Sequence, residues 1–96
     1  MAQLLSDDEI VKGLAGLDWA REGNAITITV TRKDFAGALA FVNQVGELAE
    51  SRNHHPDIAI SWNKVTLTLS THSEGGLTQA DLDLAAAIDA IAGPAE

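Results

Sequence analysis

The sequence predicts a two-layer α+β domain, a four-stranded antiparallel sheet carrying three helices on one face, in the order α-β-β-α-β-β-α. Three observations lead there. Residues 25–31 and 65–70 alternate apolar side chains with Thr or Ser, the period-2 pattern of a strand buried on one side only. Each of these runs follows a shorter strand-like piece and a tight turn, which favours antiparallel hairpins. Three other segments repeat apolar residues every three or four positions, as a helix with one buried face does. Helices packed on a single side of the sheet satisfy both patterns.

The first helix is expected over residues 6–17. Ser6 and Glu9 have capping-box spacing, Leu5 and Ile10 that of a hydrophobic staple, and Ile10, Leu14 and Leu17 form the apolar face. A hairpin follows, Asp18 to Glu22 and Ala25 to Thr31, turned at Gly23-Asn24. In its second strand Ile26, Ile28 and Val30 share one face and Thr27, Thr29 and Thr31 the other. From Asp34 to Ser51 the period becomes helical, with Phe35, Ala38, Leu39, Val42, Val45 and Leu48 as the apolar positions. Gly37 and Gly46 interrupt that helix, and since glycine costs a helix about 1 kcal/mol relative to alanine, they suggest close approach of a neighbouring element.

The second strand pair is a short piece around Ile58 to Ile60, a turn near Ser61 to Lys64, and Val65 to Ser70, with Val65, Leu67 and Leu69 inward and Thr66, Thr68 and Ser70 outward. After the loop Ser73-Glu74-Gly75-Gly76, Thr78 and Asp81 repeat the capping spacing and Leu77 and Leu82 the staple. Leu82, Ala85, Ile88 and Ile91 carry the last helix to Gly93-Pro94, with its Ala-rich end expected to fray.

Ninety-six residues suit one domain, residues 1–96, with one modest core. A formal net charge of -8 would repel a phosphate backbone, so direct nucleic-acid binding is not expected. The six basic residues form no run longer than Arg32-Lys33, which reads as solvated surface. The absence of cysteine removes disulfides, thiolate metal sites and a cysteine nucleophile. The N-terminus is acidic where a targeting peptide is basic, and no apolar run reaches membrane-spanning length, so a cytoplasmic protein that does not engage a membrane is expected.

The chemistry points to histidine. All three histidines, His54, His55 and His72, fall in one short stretch around the second strand pair. An unperturbed imidazole, with a pKa of about 6.5, gives and takes protons near neutrality without metal or thiol. If the strand stays regular, its alternation places His72 beside Thr66, Thr68 and Ser70, off the core. Pro56 keeps His55 out of the helical region and marks the end of the second helix. Neighbouring side chains on a straight strand diverge, so His54 and His55 line one pocket only where the backbone bends, as it does between helix and strand. Adjacent histidines on a regular element cannot both ligate one ion, so no metal is expected.

The spacing Glu50, three residues, His54-His55-Pro56, five residues, Trp62, nine residues, His72, eight residues, Asp81 resembles the signature of the pterin-4a-carbinolamine dehydratases. The strings Asn53-His54-His55-Pro56, Asn63-Lys64-Val65 and Leu69-Ser70-Thr71-His72 are similar to that family's as well. The resemblance covers essentially the whole chain and departs only at Asp57-Ile58-Ala59-Ile60-Ser61, which lacks aromatic residues some members carry there.

The resemblance implies loss of water from a 4a-hydroxytetrahydropterin to give the quinonoid dihydropterin, recycling the pterin of aromatic amino acid hydroxylases with no cofactor of the enzyme's own. It implies His54 and His72 as the acid/base pair and His55 as a catalytic residue that chiefly binds and orients the pterin. Glu50, Pro56, Ser70, Thr71 and Asp81 are the remaining candidate substrate contacts. From the residues alone, the favoured role of Asp81 is structural, as an acid at the helix N-terminus, that of Trp62 is core packing, and Trp19 has no role beyond packing. The resemblance further implies a homodimer or homotetramer. It also admits a non-catalytic role as a pterin-binding or oligomeric assembly/coactivator module, since animal relatives act as dimerisation cofactors of a homeodomain transcription factor.

Overall fold

A computed structural model describes residues 3–93. Its elements are α1 (Asp7–Leu14), β1 (Ala20–Glu22), β2 (Ala25–Thr31), α2 (Phe35–Arg52), β3 (Asp57–Ser61), β4 (Lys64–Leu69), a 3-10 turn at His72–Glu74, and α3 (Gln79–Ala92). The strands form one antiparallel sheet in the order β1-β2-β4-β3, so the α+β architecture and its element order are as expected.

The strand register separates the two faces. Ile26 pairs with Leu69, Ile28 with Leu67 and Val30 with Val65; Ile26, Val65, Leu67 and Leu69 join Ile10, Trp19, Ala38, Phe41, Val45, Leu82, Leu84, Ala85 and Ile88 in the core between sheet and helices, with Ile28 and Val30 half-buried against it. On the opposite face Thr27 meets Thr68 and Thr29 meets Thr66, hydroxyl to hydroxyl at 3.4 and 3.1 Å. Such cross-strand Thr pairs stabilise a solvated face.

Helix α1 begins at the Ser6–Glu9 capping box, whose backbone hydrogen bond from Ser6 to the Glu9 carboxylate holds that carboxyl below its ordinary range. It stops at Leu14, earlier than expected, although Leu17 still packs on the core. Gly13 sits where α1 crosses α3: a methyl group there would overlap Leu82 Cδ1.

In α2 the buried stripe is Ala38, Phe41, Val45 and Ala49, while Phe35 and Leu39 are exposed, contrary to the expected face. The helix carries enough apolar residues for two stripes, and the sheet covers one. Gly46 marks no close approach, since nothing lies within 4 Å of a side chain built there. Arg32 is half-buried rather than solvated: its guanidinium stacks 4.8 Å over Phe41 and donates to the Ala92 carbonyl at 2.7 Å. Helix α3 runs to Ala92 and ends on Gly93; the expected stop at Pro94 lies outside the described residues.

Candidate active site

The site forms where one end of the sheet meets the C-terminus of α2 and the N-terminus of α3. Because Asp57 pairs with Thr68, the segment before β3 runs back beside the segment after β4, bringing residues 54–56 to the same sheet end as residues 70–72.

Asn53 ends α2 in the left-handed conformation, φ 49°, with its N–H returned to the carbonyls of Ala49 and Glu50. The His54 N–H also returns to Ala49, at 3.1 Å. This helix-ending turn, followed by Pro56, supplies the bend that separates the adjacent histidines. His54 points inward, its side chain 17% exposed, with Nε2 2.6 Å from Asp81 Oδ1. His55 stays exposed and meets the Glu50 carboxylate, one turn back on α2.

Asp81 is fully buried. Its Oδ2 accepts the Thr71 hydroxyl at 2.7 Å and the Thr78 N–H at 2.9 Å. With the Thr71 proton given to Asp81, the 2.8 Å contact between Thr71 and Thr78 leaves Thr78 as the hydroxyl donor. Asp81 is therefore the cap of α3 expected from its spacing and, at the same time, the partner of a histidine. A buried carboxylate is tolerated when its oxygens are filled in this way.

His72 lies next to this network but not on a strand. Strand β4 ends at Leu69, Thr71 forms an isolated bridge with Gly76, and His72 opens the exposed 3-10 turn. Its position off the core agrees with the alternation, while the regular strand assumed for it does not continue that far. Thr71 is inward and His72 outward, as adjacent positions are.

Ser70 donates to the Asn24 carbonyl at 2.8 Å, tying this end of the sheet to the first hairpin. Pro56 is half-buried between His55 and β3. Among the described residues no three His, Asp or Glu side chains converge as a metal shell.

The two tryptophans differ. Trp19 packs in the core with its indole N–H on Asp89 at 2.9 Å. Trp62, expected in the core, is 66% exposed, because Trp62-Asn63 is the two-residue loop between β3 and β4 and such a loop projects beyond the sheet. Thr78 is the network member that the sequence reading did not select as a site residue; its only signal was the capping distance to Asp81.

The pterin 4 alpha carbinolamine dehydratase family model matches residues 3–91. The chain belongs to this family. A Nocardia farcinica relative, named "Putative pterin-4-alpha-carbinolamine dehydratase", is 53% identical over 91 residues, 94% of this chain and 96% of that protein. A Cyanothece relative with the same name is 56% identical over 89 residues, 92% of each chain. Among solved structures, a transcriptional coactivator/pterin dehydratase from Brucella melitensis superposes with a TM-score of 0.90 at 38% identity, covering 95% of this chain and all of that one. A pterin dehydratase-like protein described as a RuBisCO assembly factor of the alpha-carboxysome gives 0.69 at 26% identity, covering 80% of this chain and 92% of that one. The family is thus defined across the whole site, from Glu50 to Asp81.

Proposed function

We propose that the protein dehydrates 4a-hydroxytetrahydropterins to quinonoid dihydropterins. The observation that carries this reading is the inward-facing His54 held by a buried, fully hydrogen-bonded Asp81 at the same sheet end as His55 and His72. In the reaction a base removes the N5 proton, the C4a–O bond breaks as an acid protonates the departing hydroxyl, and a C4a=N5 double bond forms with release of water. Positioned groups of suitable pKa typically contribute about 10²- to 10⁴-fold each to such proton transfers.

Each candidate site residue has a part in that scheme. With His54 Nε2 turned to the Asp81 carboxylate, Nδ1 is the ring nitrogen left to face the substrate. His54 and His72 form the acid/base pair. His55, backed by Glu50, binds and orients the pterin, while Pro56, Ser70 and Thr71 shape the pocket. The product returns to the pterin pool of an aromatic amino acid hydroxylase.

The exposed strand β3 and the second apolar stripe of α2 favour a homo-oligomer. The assembly-factor neighbour supports a second reading, a non-catalytic assembly module. A coupled assay separates the two: 4a-hydroxytetrahydropterin is generated by a phenylalanine hydroxylase, and the quinonoid product is followed with and without the protein. Acceleration over the spontaneous rate is expected; its absence in folded protein would leave the assembly reading.

A further inference from the structure

Trp62 lies outside the core, at the β3–β4 turn. It is the most exposed aromatic side chain of the described residues and is held at φ 55°, a conformation that bulky residues rarely adopt. The proposed pterin site at His54, His55 and His72, by contrast, has no aromatic side chain of its own chain beside it among the described residues. The sequence has two Trp, two Phe and no Tyr; Trp19 and Phe41 are buried in the core. Phe35 opens α2 at the end remote from His54, about 25 Å away at about 1.5 Å per residue. Trp62 stands at the far tip of β3, about 20 Å from Pro56 at about 3.4 Å per residue.

Strand β3 is an open edge. All five of its residues are exposed, it has no Lys, Pro or bulge to discourage pairing, and its pairing with β4 is continuous. Arg32 N–H bonds to the Asn63 carbonyl, so alternate residues from Asn63 onward turn their amides to β2, and Lys64, Thr66 and Thr68 turn theirs to β3. Their partners Ser61, Ala59 and Asp57 are satisfied by β4. Ile58 and Ile60 turn their N–H and C=O groups to the free edge.

These facts select one self-complementary register. Antiparallel pairing of β3 with the β3 of a second copy, about a twofold axis at Ala59, bonds each Ile58 to the Ile60 of the other copy through both edge amides. It sets Asp57 across from Ser61, so no like charges oppose. It is also the register that pairs all five residues, and it runs beside the groove lined by Val42, Asn43, Gly46, Glu47, Glu50 and Ile58. One step beyond the strand, it places Trp62 of each copy opposite Pro56 of the other.

The geometry points to a composite site in which the Trp62 indole of one protomer closes the His55–Pro56 side of the other protomer's pocket and stacks on the pterin ring. The inference rests on the pterin reading above and adds that the pocket is complete only in the pair. A strained, exposed indole is then explained by the ligand it covers in the partner.

Complementation tests it. Trp62→Ala is expected to lower kcat/KM at least tenfold, and His54→Ala to lose turnover. Refolded together in equal amounts, the two variants form mixed dimers with one intact site, recovering about one quarter of wild-type activity if association is random. A mixture no more active than the mean of its parents would overturn the shared site. Because the chain has no cysteine, Ala59→Cys reads the register independently: oxidation is expected to give a disulfide-linked dimer that Asp83→Cys on α3 does not give, and either failure of Ala59→Cys to cross-link or equal cross-linking by Asp83→Cys would overturn the pairing. A wild type inactive in the same assay overturns the pterin reading itself, whereas an active wild type without complementation or cross-linking overturns only this inference.

Discussion

His54 Nε2 and Asp81 Oδ1 lie 2.6 Å apart, joining the last residue before the site's bend to a fully buried carboxylate in the first turn of α3. The same carboxylate caps α3, so the stability of the helix start and the orientation of the proposed acid/base imidazole depend on one side chain. Asp81→Ala strands the Thr71 hydroxyl, the Thr78 N–H and the His54 ring, and should cost about 2–4 kcal/mol, because buried donors are left without acceptors. Asp81→Asn keeps the shape but turns an amide donor toward one of these donors. It should cost less than Asp81→Ala while lowering turnover at least about tenfold through loss of imidazole orientation. Urea unfolding beside the dehydratase assay reads both effects.

Thr71 is expected to act through Asp81. Thr71→Val removes a buried donor and should destabilise by about 1–2 kcal/mol, whereas Thr71→Ser keeps the hydroxyl and should retain most of the activity. Equal rate losses in the two variants would assign the effect to packing.

His55 and Glu50 form the exposed pair, with side chains 54% and 77% accessible. Exposed ion pairs contribute about 0–1 kcal/mol, so Glu50→Gln should leave thermal stability nearly unchanged. His55→Ala should raise KM more than it lowers kcat. Collapsed turnover at constant KM would instead place His55 in the proton transfers.

At Gly13 the prediction concerns packing alone. A methyl group meets Leu82, which is 6% exposed and has little room to move, so Gly13→Ala should destabilise by about 1–3 kcal/mol despite alanine's better helix propensity. Denaturant titration measures the sign; a gain in stability would show that α1 and α3 separate readily.

Much of this was legible in the sequence because it is local or periodic. The Ser6–Glu9 box, the Thr rows facing away from Ile26, Leu67 and Leu69, and the break at His55-Pro56 follow from spacing alone. What depends on tertiary placement was not. Asp81 reads as a surface cap until Thr71 and His54 close over it. Trp62 reads as core until the two-residue loop turns it out, and Phe35 and Leu39 read like Ala38 and Val45 because periodicity does not reveal which stripe the sheet covers. Alternation alone does not fix the position of His72, because the strand gives way to the Thr71–Gly76 bridge before reaching it.

The most direct test of the acid/base account is the stopped-flow decay of 4a-hydroxytetrahydropterin with wild type, His54→Ala and His72→Ala, each verified as folded by circular dichroism. The account predicts wild-type acceleration over the spontaneous rate and a loss of about 10²-fold or more in each variant. Two folded variants that dehydrate at the wild-type rate would contradict it.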